Sequence, residues 1–243
     1  MKLKGILSLS LYFFLFILPA FCVSAENQGL GIKSGEYLIS DYVSIIEKTQ
    51  SPYLASLSSR KPELLMAYKG EYDLVMVHNF HEFHDGLNII NGKAYRAVSS
   101  EKGTDSKAIA ISIDGKNLTL TGYDVGAPLH YIYVGDAQRF VALKVIAGEY
   151  VDSEGIKYSF KEDGTAHFKE KHFKYEIGLD FVIRPNSDKT DKKRDYFLNS
   201  ESRELFEYEI SDGVMSIYRT GGQESMNVEA EPFLKIKKVM KNN

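Results

Sequence analysis

The chain has 243 residues, 12% of them aromatic and 26% charged, with six histidines, one cysteine, no tryptophan and a formal net charge of −3. Mild acidity without a basic, arginine-rich block argues against nucleic acid as a partner. The one cysteine, Cys22, lies in the N-terminal segment described next, so a mature chain without it has no disulfides, thiolate zinc site or cysteine nucleophile.

Residues 1–25 read as a signal peptide. Lys2 and Lys4 form a positive start, an apolar core runs from Ile6 to Ile17, and Pro19 precedes the small-residue site Val23-Ser24-Ala25. Cleavage after Ala25 takes the net charge to −5 and implies a periplasmic or secreted protein. The apolar run falls short of the roughly 18 to 20 residues of a membrane span, so no stable span is expected once it is removed. Lipidation at Cys22 is the alternative, but bulky Phe21 stands where that chemistry needs a small residue.

A first strand is expected at Gly35-Glu36-Tyr37-Leu38. Ser40 or Asp41 then caps a short helix with Tyr42, Ile45, Ile46 and Thr49 along one stripe. Ser51-Pro52 starts a second helix, serine as cap and proline in the first turn, with Tyr53, Leu54 and Leu57 as its apolar stripe. From Glu63 onward the pattern is strands and hairpins. Asp85-Gly86, Asn91-Gly92, Asp114-Gly115, Asp163-Gly164 and Asp212-Gly213 are pairs suited to tight turns, because these residues accept positive φ cheaply. In "FKYEIGLDFVI", Phe173, Tyr175, Ile177, Leu179, Phe181 and Ile183 alternate with polar residues, which predicts a strand with one buried face. The fold class expected is mainly β: an antiparallel meander closing as one or two barrels, with a short helical pair near the N-terminus.

Gly35-x-Tyr37, the helical pair at 40–59 and the following meander resemble the calycin group, in the layout of fatty-acid-binding proteins. Gly148-Glu149-Tyr150 and "SEGIKYSFKEDGTAHF" resemble the opening strand and hairpin of lipocalin-like domains. Tyrosine stands where lipocalins carry tryptophan, and no arginine pair for a fatty-acid carboxylate is evident. The resemblance implies a barrel able to hold a small, mostly hydrophobic molecule, with the helical pair as its portal. The recurring Gly-Glu-Tyr suggests two lobes, 30–146 and 147–243, the second packed against the first because "RFVALKVIAGEYV" is too apolar for a free linker; a single β domain over 30–243 is the alternative. Residues 99–107 and 184–195 read as polar loops.

The densest chemistry is "HNFHEFHDG" at 78–86. Read as one strand ending in a turn at Asp85-Gly86, it puts His78, Phe80 and Glu82 on the face of Leu74 and Met76, and Asn79 and His81 on the other. Asn79 and His81 are the expected ligand-binding pair, joined by Tyr131 and Tyr133, which share a face in "LHYIYVG". A metal site on His78, Glu82 and His84 is the alternative; it needs three convergent ligands, and the spacing of zinc proteases is absent. No nucleophile elbow or phosphate loop appears, and no cofactor is implied. The functional reading is an exported, non-catalytic binder of a small hydrophobic molecule. The alternatives are a hydrolase-like enzyme using the 78–84 cluster and a filled-core interaction or inhibitor module. The sequence does not fix the oligomeric state.

Overall fold

The structure is a computed structural model and describes residues 30–68, 70–80, 82–97, 107–123, 126–180, 194–220 and 231–240. The signal segment, His81 and most of the two polar loops lie outside the described residues.

Two closed, eight-stranded antiparallel barrels follow one another along the chain. The first comprises β1 (Gly35–Ile39), β2 (Leu64–Ala67), β3 (Leu74–His78), β4 (Glu82–Ile90), β5 (Lys93–Arg96), β6 (Ile109–Asp114), β7 (Asn117–Thr121) and β8 (Leu129–Gly135). Between β1 and β2 lie α1 (Ser40–Thr49) and α2 (Pro52–Ser58). A third helix, α3 (Ala137–Val145), leads into the second barrel: β9 (Gly148–Val151), β10 (Lys157–Phe160), β11 (Thr165–Phe168), β12 (Lys171–Ile177), β13 (Asp195–Asn199), β14 (Leu205–Ser211), β15 (Val214–Arg219) and β16 (Leu234–Lys238). In each barrel neighbouring strands pair in chain order and the first pairs with the last, so no strand within a barrel is left as an edge.

Four of the five turn pairs fall at hairpin tips: Asn91-Gly92 between β4 and β5, Asp114-Gly115 at β6–β7, Asp163-Gly164 at β10–β11 and Asp212-Gly213 at β14–β15. The glycine of each has positive φ. Asp85-Gly86 does not turn. It lies within β4, and the reversal falls instead at Asn79-Phe80, both left-handed at φ +48° and +62°. Gly86 is needed for another reason: a Cβ there would come within 2.5 Å of the Tyr72 ring laid over it.

The two Gly-Glu-Tyr segments do the same work. Gly35 (φ +135°) and Gly148 (φ +154°) each open the first strand of a barrel, and the tyrosine two residues on donates its hydroxyl to a carbonyl four residues earlier, Tyr37 to Lys33 and Tyr150 to Ile146. The interiors are filled. Leu65, Leu74, Met76, Leu87, Leu118 and Leu120 are fully buried in the first barrel. Phe160, in the second, meets Tyr150, Phe168, Tyr175 and Phe197 edge-on at 5.4 to 5.9 Å.

The helices depart from the sequence reading in three places. α1 starts at Ser40 with Ile39 as an uncapped N-cap, whereas Ser51 does cap α2 by accepting from the Leu54 amide. Leu54 and Leu57 are 43% and 53% exposed, while Pro52, Ala55 and Ser56 form the buried stripe. α3 falls where only an apolar boundary was expected; Asp136 caps it through the Arg139 amide, and Ala137, Val141, Ala142 and Val145 form its buried stripe. The strand expected through Ile183 stops at Ile177, and Phe181 and Ile183 lie outside the described residues.

The helix pair is held from both sides. Phe80, at the β3–β4 turn, packs on Tyr42 at 4.8 Å, and Arg60 donates to Asp41 and to the Pro128 carbonyl, tying α1 and the α2–β2 connection to the start of β8. From the second barrel, the Leu179 carbonyl accepts the Tyr42 hydroxyl at 2.6 Å, and Asp195 Oδ1 accepts the Tyr53 amide at 2.7 Å. Asp195 therefore serves as an acceptor in the first turn of α2 from a different barrel.

Candidate functional site

The site is built where β3 and β4 reverse. Leu74 faces Leu87 and Met76 faces Asp85, but Val77 faces Phe83 and His78 faces Glu82, so His84 is the extra residue of a bulge. Cross-strand partners share a face. Leu74, Met76 and Leu87 belong to the core, so Asp85 is on the inward face, and Arg96, opposite Leu87 on β5, is there too. These positions lie at the helix-bearing end of the barrel, since Leu64, the first residue of β2 after the helices, faces Val77.

The polar groups at this mouth are connected. The Tyr123 hydroxyl donates to Asp85 Oδ2 in a short hydrogen bond, and Arg96 Nε stands 3.4 Å from the same oxygen. Arg96 also donates to the Tyr123 carbonyl at 2.8 Å and lays its guanidinium over the Tyr123 ring at 4.3 Å. His84 lies beside this group, its Nε2 4.0 Å from Asp85 Oδ2 and its ring 6.3 Å from Tyr123. The bulge also turns it edge-on to His78, at 5.7 Å between ring centroids. Asp85 is thus a carboxylate compensated by one arginine and one phenol, with two imidazoles at the rim. The arrangement can orient a polar end of a ligand.

Of the expected ligand-binding residues, Asn79 sits on the turn, and its amide donates to Glu63 Oε2 at 3.0 Å. That carboxylate is fully buried and ion-paired with Lys61, so Asn79 is tied into the base of the turn. His81 lies outside the described residues. Tyr131 and Tyr133 do share the inward face of β8, as Tyr131 pairs with Leu118 and Ile39 and Tyr133 with Tyr37. Their hydroxyls go to backbone carbonyls, Tyr131 to Pro62 at 3.0 Å and Tyr133 to Ser34 at 3.1 Å. Burial pushes the Tyr131 hydroxyl well above the ordinary tyrosine range, Tyr123 adds to the shift and Arg60 opposes it. The metal alternative brings His78 and His84 together, with Glu82 opposite His78; among the described residues no group of three histidine, cysteine or acidic side chains is arranged to hold an ion.

The sequence reading missed Asp85, Arg96 and Tyr123. Asp85 was hidden by its glycine neighbour, which made a turn of a strand; counting back two residues from Leu87 was the available signal. Arg96 carries a similar one, closing the run "KAYR" two residues after buried Ala94. Comparison with protein-family models, with curated proteins and with solved structures finds no match to this chain.

Proposed function

We propose that the protein is an exported, non-catalytic binding protein of calycin-like architecture, which takes a small, mostly apolar molecule with a polar end at the helix-side mouth of its first barrel. The observation that carries this reading is the inward-facing Asp85, Arg96 and Tyr123 group above an apolar interior, with His78 and His84 at the rim. A few placed polar groups in an apolar setting are what a small-molecule site uses to fix orientation. Exposed Phe83, with Tyr72 at 6.1 Å, adds apolar surface on the outer side of the same bulge. The interior below the mouth is occupied by side chains, so the ligand sits at the mouth and not in the lumen.

A second reading is favoured by that same packing: both barrels are filled scaffolds, and the protein acts by presenting its surface to a macromolecule. Native mass spectrometry of the protein recovered from its exported compartment separates the two. A retained small molecule, lost in Arg96→Ala but kept in Ser216→Ala on the second barrel, supports the first. A bare mass that gains only a protein partner supports the second. Export is tested separately by sequencing the mature N-terminus, expected at Glu26; a chain starting at Met1, or a lipid on Cys22, would overturn it.

A further inference from the structure

The sixfold histidine complement includes a second pair, far from the mouth. His167 on β11 and His172 on β12 are direct cross-strand partners, and their rings stack at 4.1 Å with only 7° between planes. The hairpin tip Lys169-Glu170 fixes them: Phe168 pairs with Lys171 as the closing residues, and the histidines come next. Both side chains reach solvent, His172 being exposed and His167 half-buried. Among the described residues neither ring stacks on any other ring, and the ring nitrogens are engaged by no hydrogen bond or ion pair. Lys174, on the same face of β12, is turned away by its hydrogen bond to Thr165 at 2.9 Å.

From this geometry we propose that His167 and His172 form a two-imidazole site for a borderline divalent transition metal, copper(II) above all, with water completing its coordination. Two nitrogens bound at about 2.0 to 2.1 Å on a tetrahedral metal stand about 3.3 Å apart, and closer still in a square-planar cis arrangement. Ring centroids at 4.1 Å on directly paired strands put the two imidazoles within reach of that separation, and loading unstacks the rings by rotation about their side-chain bonds so that the in-plane nitrogen lone pairs converge on the ion. Imidazole suits copper and zinc, and among first-row divalent ions copper(II) binds a given nitrogen site most strongly. Loading exchanges no group; the imidazoles give up ring protons only where one was bound, so binding weakens in acid.

The test is a titration of the mature chain with copper(II), followed by electron paramagnetic resonance, on the wild type, His167→Ala, His172→Ala and the double variant His78→Ala/His84→Ala. The expected result is one equivalent with the hyperfine pattern of two nitrogens, a tenfold or greater loss of affinity in each hairpin variant and no change in the mouth variant. Circular dichroism checks that each variant keeps the wild-type fold. Unchanged affinity in both hairpin variants, loss with the mouth variant instead, or a threefold or smaller loss in every variant would each overturn the site.

Discussion

Asp195→Asn should make the protein more stable at neutral pH, even though it removes an apparently well-placed charge. Asp195 lies between the barrels; burial raises its pKa to about 6, the Tyr53 amide and the Ser51 hydroxyl oppose that rise, and Glu209 adds to it. An aspartate in the unfolded chain titrates near 3.9, so keeping this carboxylate ionised costs the folded state about 3 kcal/mol. The folded pKa is the higher one. The folded state therefore binds the proton more tightly, and stability from this group rises as pH falls from above 6 towards 4. Asparagine keeps an oxygen for the Tyr53 amide and has nothing to ionise. Urea unfolding of both proteins at matched pH gives the difference directly. Wild-type stability relative to the variant should increase by about 2 kcal/mol between pH values of about 7.5 and 4.5. A difference that is flat across that range, or that grows in the variant's favour on acidification, would refute the assignment of a buried, reluctantly ionised carboxylate at this joint.

Tyr42→Phe should cost about 1 to 2 kcal/mol in the same assay, because the Leu179 carbonyl loses its donor in a buried place while the ring packing on Phe80 survives. Phe160→Ala should cost about 3 to 5 kcal/mol, since it empties the centre of the second barrel's ring cluster; thermal denaturation followed by near-ultraviolet circular dichroism would show the aromatic signal collapse. Gly86→Ala should destabilise by about 1 to 3 kcal/mol by forcing the Tyr72 ring off the strand, and Tyr72→Ala should relieve that cost in the double variant.

Local chemistry made much of the fold readable. Asn-Gly and Asp-Gly pairs between β-rich runs mark hairpins because the backbone they need is cheap for those residues alone, and Ser51-Pro52 marks a helix start for the same kind of reason. The failures came where long-range packing overrode such preferences. Asn79 tolerates a left-handed backbone but Phe80 does not, so the pair carries only half a turn signal; the reversal holds because Phe80 lands on Tyr42 and the Asn79 amide on Glu63. Asp85-Gly86 carries the turn signature and is strand, since its glycine makes room for Tyr72. α3 is dense in apolar residues on both sides of its boundary, so its 3.6-residue spacing was masked. The bulge at His84 was the hardest to foresee: it moves one residue, and with it brings together His78 and His84, six positions apart.

The double anchoring of α1 and α2 bears on how that pair can move. A helix pair fastened along one side can swing like a flap on its own hinge. This pair is gripped on the far side as well, by Leu179 and Asp195, so it moves away from the mouth only if the two barrels first let go of each other. Freeing the helix pair is thereby coupled to loosening the joint between the barrels, where Asp195 holds the Tyr53 amide.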